Sequence, residues 1–306
     1  MTKKQSLITI LGPTASGKTH LAVHLAALIK GEIISADSRQ VYQGMDIGTG
    51  KDLEEFNVNG QQIPYQLIDI HPPGYEYNVF EFQRDFLQAY ANIQAKDRQP
   101  VLCGGTGMYI DAILKGYHLV QVPENLPLRA ELSMMETNDL IERLKSLKKL
   151  HNTTDITDRK RLVRAIEIQT FEQQNPDHKQ PLPAMDHHVF GIQWERGVLK
   201  ERITSRLKAR LKEGMIEEVQ GLLDAGFTAE QLKFYGLEYR FVTQHIMGEL
   251  NSNDLFQKLN AAIHAYAKRQ MTYFRRMEKH GINIHWLKGE TAVDEKIAEI
   301  MNSSLM

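Results

Sequence analysis

Near the N-terminus, Gly12-Pro-Thr-Ala-Ser-Gly17-Lys18-Thr19 has the spacing Gly-x-x-x-x-Gly-Lys-Thr. Before it lies Ser6-Leu-Ile-Thr-Ile-Leu11, a short apolar run of strand character. After it comes a stretch of helical character from about Lys18 to Ile29. In that strand–turn–helix setting the glycines let successive amides turn toward one anion, and the helix start adds the positive end of its dipole. Gly12, Pro13, Thr14, Ala15, Ser16, Gly17, Lys18 and Thr19 are therefore the candidate diphosphate-binding residues. Lys18 offers a point charge to the outer phosphates, and the Thr19 hydroxyl offers a ligand for Mg2+. Such a loop implies a bound diphosphate or triphosphate and leaves the reaction open.

The first third of the chain continues the alternation. Glu32 to Ala36, Gln66 to Ile70 and Pro100 to Cys103 read as strands, and Asn78 to Lys96 as a helix. This is the pattern of an α/β fold, a parallel sheet with helices on both faces. Ligands on such sheets bind beyond the carboxyl ends of the strands, where Gly12, Asp37 and Gly104 all fall. From Pro123 onward the pattern is helical. One helix runs to about Leu150 and another from Asp158 to Gln173, and a Pro-rich link follows at Pro176, Pro181 and Pro183. His188 to Ile192 returns to strand character. Leu199, Ile203, Leu207, Leu211 and Met215 then form a four-residue stripe along a long helix, with further helices to about Lys279. The expected organisation is a P-loop core begun by residues 1–116, a helical insertion at 117–185, and a mainly helical completion of the core at 186–306.

Cys103 is the single cysteine, which excludes an intramolecular disulfide and a multi-cysteine zinc site. No apolar run reaches membrane-spanning length, and Met1 to Gln5 lead into the first strand without a signal-peptide pattern, so a cytoplasmic protein is expected, and a monomer is the expected assembly. The formal net charge is −1, so a nucleic-acid partner would have to be held by local clusters. Arg159, Lys160, Arg161 and Arg164 form one. Lys200, Arg202, Arg206, Lys208, Arg210 and Lys212 form a second, each equally readable as a solvated helix face. Lys268-Arg269-Gln270 with Tyr273-Phe274-Arg275-Arg276 mixes cations with aromatics, a combination suited to stacking on unpaired bases.

Three further positions sit at the ligand edge of the sheet. Asp37 in Asp37-Ser38-Arg39-Gln40 can take a proton from a group facing the phosphates, bind Mg2+ through water, or cap a helix. Gly104-Gly105-Thr106-Gly107 opens another helix, and its amides and the Thr106 hydroxyl can contact a phosphate or nucleotide or form a purely structural turn. Asp69 is open to a metal-binding or a strand-end role. His20 and His24, four apart without an acidic partner, read as exposed helix residues.

Taken together, the Gly12–Thr19 loop, Asp37-Ser38-x-Gln40-x-Tyr42-x-Gly44-Met45-Asp46-Ile47-Gly48-Thr49 and Gly104-Gly105-Thr106-Gly107-x-Tyr109 resemble the tRNA dimethylallyltransferases. So do Arg161-Leu-x-Arg164-Ala-x-Glu167, Arg202-Ile-x-x-Arg206 and Lys268-Arg269-Gln270-x-Thr272. The resemblance spans nearly the whole chain. It implies a P-loop NTPase-like core with an inserted helical domain. The implied activity is transfer of a dimethylallyl group from dimethylallyl diphosphate to N6 of the adenosine 3′-adjacent to the anticodon, with Mg2+ as cofactor and the tRNA anticodon stem-loop as partner. By motif, Asp37 is implied as the base, and Lys18, Thr19, Thr106 and Arg206 as groups that hold the diphosphate and its metal. Asp37, Ser38, Arg39, Gln40, Thr106, Arg129, Lys160, Arg161, Leu162, Val163 and Arg164 are implied as tRNA contacts. The chain departs from the family's Gly-Tyr-basic pattern at Gly236-Leu237-Glu238-Tyr239-Arg240. A small-molecule or nucleotide kinase, which shares the P-loop, a strand-end Asp and a helical insertion, is the alternative.

Overall fold

The computed structural model describes residues 5–148, 158–175 and 185–304. They form two compact units, one within Met1–Lys115 and Ala184–Met306, the other within Gly116–Pro183. The larger unit is built on strands β1 (Leu7–Leu11), β2 (Gly31–Ser35), β5 (Tyr65–Gln66), β6 (Gln99–Gly104), β7 (His187–Gln193) and β8 (Ile284–Lys288). They form one all-parallel sheet in the order β5-β2-β6-β1-β7-β8. A two-residue hairpin, β3 (Asn57–Val58) with β4 (Gln61–Gln62), stands apart. Period-two alternation divides the strand side chains between two buried layers. Leu7, Leu11, Ile34, Leu102 and Val189 pack on one face, with α2 (Val79–Ala95) and α3 (Gly107–Leu114). Ile8, Ile10, Ile33, Val101 and Phe190 pack on the other, with α1 (Lys18–Leu28) and α12 (Val293–Ser304).

The smaller unit contains α4 (Leu126–Ser133), α5 (Thr137–Leu147) and α6 (Arg159–Gln174) around Leu128, Leu132, Leu140, Leu144, Leu162 and Ile166. The larger unit then continues with α7 (Arg196–Lys212), α8 (Met215–Asp224), α9 (Ala229–Phe234), α10 (Leu237–Ile246) and α11 (Ser252–Lys279). The α7 stripe residues Ile203 and Leu207 are buried in a further cluster with Met215, Val219, Tyr239, Leu259 and Ile263.

Four expectations change. The strand expected over Gln66–Ile70 is confined to Tyr65–Gln66, because Leu67 and Asp69 take positive φ (63° and 56°) and the chain leaves the sheet. The helix expected to run to Leu150 breaks after Ser133. Carbonyls of Leu132, Ser133 and Met135 at the break accept from Arg159, so this cation satisfies the open end of α4. Leu150 itself, like Pro176, Pro181 and Pro183, lies outside the described residues. The long helix stops at Lys212, since Gly214 is left-handed (φ 105°) and Met215 starts a new helix. Strand β8 and helix α12 had no counterpart in the sequence reading.

Candidate active site

Sheet order brings the ends of β1, β2 and β6 side by side, and their loops converge as the topology requires. The β1–α1 loop carries Ala15 and Gly17 at positive φ (60° and 84°), and no side chain caps the first turn of α1, which leaves its amides for an anion. Three side chains brace this loop from outside. Gln270, 7% exposed, accepts from the Thr14 amide (2.9 Å) and donates to the Gly105 carbonyl (3.0 Å). Trp194 donates its indole N–H to the Ser16 carbonyl (2.9 Å). Arg202 donates to the Ala15 carbonyl (2.9 Å) while its guanidinium lies 4.3 Å from the Trp194 ring centre.

The β2 and β6 ends are pressed together. A Cβ on Gly104 would lie 2.2 Å from the Ala36 carbonyl oxygen, so that position requires glycine, and one on Gly105 would lie 2.4 Å from Gln270 Nε2 and displace that side chain. The Thr106 hydroxyl accepts from the Ser38 amide (3.1 Å). No helix follows Asp37, so the capping role is absent; one carboxylate oxygen accepts from the Arg39 amide (2.9 Å) in a turn. Gln40 receives the Ser35 hydroxyl (2.9 Å) and donates to the Gly50 carbonyl (2.9 Å), tying the following loop back to β2. Glu218 holds that loop through the amides of Asp46 (2.8 Å), Ile47 (2.7 Å) and Gly48 (3.0 Å), and accepts from Tyr239 (2.5 Å).

These loops open onto a cavity of about 870 Å³. Thr14, Lys18, Thr19, Asp37, Thr49, Asp52, Arg206, Arg210, Glu238, Tyr266 and Arg269 are among the residues that line it. Burial pulls the Lys18 ammonium below its ordinary pKa, against the opposing pull of Cys103 and Asp37. Burial pushes the Cys103 thiol up to about 12. Glu238 is pushed upward by burial, and the Tyr266 phenol is likewise raised by burial and then by Asp37. Arg206 reaches from α7 to 3.5 Å from the Thr14 hydroxyl and is ion-paired with Asp52, which also pairs with Arg210 (3.1 Å).

The chain matches the IPP transferase family over residues 40–277 and the isopentenyl transferase family over residues 5–63. The chain belongs to the IPP transferase family. It is 57% identical over 297 residues to tRNA dimethylallyltransferase 1 of Geotalea uraniireducens, covering 97% of each chain. It is 52% identical over 300 residues to tRNA dimethylallyltransferase 2 of Phocaeicola vulgatus, covering 98% of each. Among solved structures, the tRNA isopentenylpyrophosphate transferase of Bacillus halodurans superposes with a TM-score of 0.71 at 31% identity, over 98% of this chain and 95% of that one. A eukaryotic dimethylallyltransferase shares the fold with a TM-score of 0.79 at 20% identity, over 98% and 79% of the two chains. The α/β reading with a P-loop core is thus the fold of this IPP transferase family member.

Within the family frame, several expected contacts are occupied elsewhere. Leu162, expected at tRNA, is fully buried in the core of the smaller unit, and Val163 packs against that core. Arg129 donates to Glu167 from Nε (3.0 Å) and Nη2 (2.9 Å), and Arg164 pairs with the same carboxylate and donates to the Val122 carbonyl (2.8 Å). Lys160 and Arg161 are exposed on α6. Phe274, expected as a stacking surface, is fully buried, and Tyr273 covers Gly107, whose added Cβ would lie 2.4 Å from the ring. Asp69 is ion-paired with the buried Lys51, which also pairs with Asp46 (2.6 Å), so it stands as a structural counter-ion. The rings of His20 and His24 lie 4.2 Å apart, and no group of three metal-ligating side chains occurs among the described residues. No described helix is long and apolar enough to cross a membrane.

The sequence reading missed Asp52 and Trp194 altogether and gave no role to Arg210 or Gln270. For Gln270 the signal was its place within Lys268-Arg269-Gln270, an amide among cations on a helix whose other face is apolar.

Proposed function

We propose that this chain transfers a dimethylallyl group from dimethylallyl diphosphate to N6 of an adenine 3′-adjacent to the anticodon of tRNA, in the cytoplasm, where the tRNA substrate is found. The observation that carries the reading is the meeting of an uncapped P-loop and the Asp37 carboxylate in one cavity, with Arg206 beside Thr14. The P-loop amides, Lys18 and Arg206 grip the diphosphate. Thr106 fixes the Asp37-Ser38 turn, and Ser38, Arg39 and Gln40 face the incoming nucleotide. Lys160, Arg161 and the outer edge of Arg164 offer positive charge to the tRNA backbone.

In the reaction the N6 lone pair attacks the allylic carbon as the carbon–oxygen bond to diphosphate breaks. One N6 proton passes to the Asp37 carboxylate, and the bonding pair leaves with the diphosphate. Negative charge grows on the diphosphate oxygens, where Lys18, Arg206 and the loop amides would stabilise it. The exocyclic amine is a weak nucleophile because its lone pair is delocalised, so proton removal during attack contributes about 10²–10⁴-fold. The hydroxyl of Thr19 is a hard oxygen donor in the cavity lining, suited to a Mg2+ held mainly by the diphosphate rather than in an all-protein cage, which leaves Asp37 free to act as base. Bound there, Mg2+ would neutralise charge on the leaving group.

The test is transfer of a radiolabelled C5 group to unmodified tRNA by wild type and by Asp37→Asn. Asparagine keeps the turn acceptor for the Arg39 amide but takes no proton. Single-turnover rate should fall about 10²-fold or more while tRNA and donor still bind. A near-normal rate would remove Asp37 as base. Phosphate transfer from ATP to a small metabolite, with no label on tRNA, would replace the whole reading with that of a kinase.

A further inference from the structure

Asp52 has no role in the reaction drawn above, yet it occupies the charge of Arg206 and Arg210, two arginines of α7 that line the cavity. Its two oxygens lie 3.1 and 3.2 Å from Arg210 Nη2, and it is ion-paired with Arg206. The two arginines differ in freedom. Arg210 is 8% exposed, and a Cβ on Gly50 would fall 2.1 Å from its Nη2, so its guanidinium is wedged against that backbone. The Arg206 side chain is 31% exposed, lines the cavity and already lies 3.5 Å from Thr14. Burial pulls the Asp52 carboxyl upward, but the two guanidiniums outweigh it and hold it below the usual range, so it stays ionised.

We propose that Asp52 is a resident counter-ion that competes with diphosphate for Arg206 while Arg210 holds it in place. The proposal rests on the phosphate-site reading and adds a role for a residue outside the reacting set. When a diphosphate enters the P-loop, its oxygens take over Arg206, and Asp52 remains neutralised by Arg210 alone. After transfer the leaving diphosphate has lost its ester and gained an ionisable oxygen, so it binds the cations more strongly than the donor did. A carboxylate that recaptures Arg206 favours its release.

The experiment is calorimetric titration of inorganic diphosphate, with magnesium chloride present, into wild type, Asp52→Asn, Arg206→Ala and the double variant. Asn suits the left-handed backbone at position 52 (φ 45°) and is nearly isosteric, and Asp52→Gly, equally at home there, serves as a second variant. Both should bind diphosphate about five- to tenfold more tightly, and its inhibition constant in the transfer assay should fall by the same factor. In the Arg206→Ala background the change at 52 should shift binding by less than about twofold, because the competition acts through that arginine. Weaker or unchanged binding by both variants would make Asp52 a positioning group and overturn the proposal. Equal tightening without Arg206 would reduce it to a bulk charge effect and also overturn it. A wild-type protein that binds no diphosphate would instead overturn the phosphate-site reading.

Discussion

Replacing Glu167 with Gln should loosen the smaller unit without touching the core that carries the P-loop. The Glu167 side chain is 1% exposed, and its carboxylate accepts from the Asn125 amide (2.6 Å), from Arg129 twice and from Arg164. Gln keeps one acceptor oxygen but turns an N–H toward a guanidinium and removes the buried charge shared by Arg129 and Arg164, leaving Arg129 with the exposed Glu124 (2.7 Å). Breaking a buried pair costs about 3–5 kcal/mol, and discounting for arginines that are 32% and 39% exposed leaves roughly 2–3 kcal/mol. In native-state hydrogen exchange, amides of α4 and α6 should lose protection by about 30- to 150-fold, while those of β1, β6 and β7 hold. Burial pulls the Glu167 carboxyl up, but Arg129, the Asn125 amide and Arg164 outweigh it and hold it below its ordinary 4.5. The stabilisation is therefore complete above about pH 4.5 and is lost as pH falls through the lowered value. The difference between wild type and Glu167→Gln should shrink over that same acid range. Protection within about threefold of wild type at pH 7, or an equal loss across the sheet, would refute this account.

Gln270→Leu removes the bridge between the Thr14 amide and the Gly105 carbonyl; it should cost about 1–3 kcal/mol in thermal unfolding and lower turnover by about tenfold or more, and wild-type values for both would sink the idea. With its thiol pushed up to about 12, Cys103 should alkylate in the native protein at pH 8 roughly 10³-fold more slowly than after denaturation, as followed by mass spectrometry, and labelling at the rate of an exposed thiol would contradict its burial.

The core of the fold was readable because its signals are local. Apolar runs at β1, β2 and β6, the glycines between them and the Asn78 cap of α2 each act within a few residues. What escaped depends on partners far away in the chain. The strand expected beyond Gln66 has suitable β-formers, but Asp69 is drawn out of the sheet by Lys51, and no periodicity records an ion pair 18 residues apart. The break after Ser133 lacks Gly or Pro; it is satisfied by Arg159, whose charge had marked it as a surface residue.

At the site, the motifs located the glycine-rich loop after β1 and the Asp37 turn, since backbone geometry there demands particular residue types. They were less informative about what a charged side chain faces. A basic cluster reads alike whether its cations meet solvent, a nucleic acid or a buried carboxylate. Arg129 and Arg164 illustrate this, because both converge on Glu167, itself part of the motif that suggested tRNA contact. If they touch tRNA, they do so with their outer edges while Glu167 holds the inner ones. Substituting either would then combine lost contact with a loosened unit, and only local exchange protection measured beside tRNA affinity separates the two. Lys160 and Arg161, exposed on the same helix, are the positions at which a weakened tRNA affinity reports contact alone.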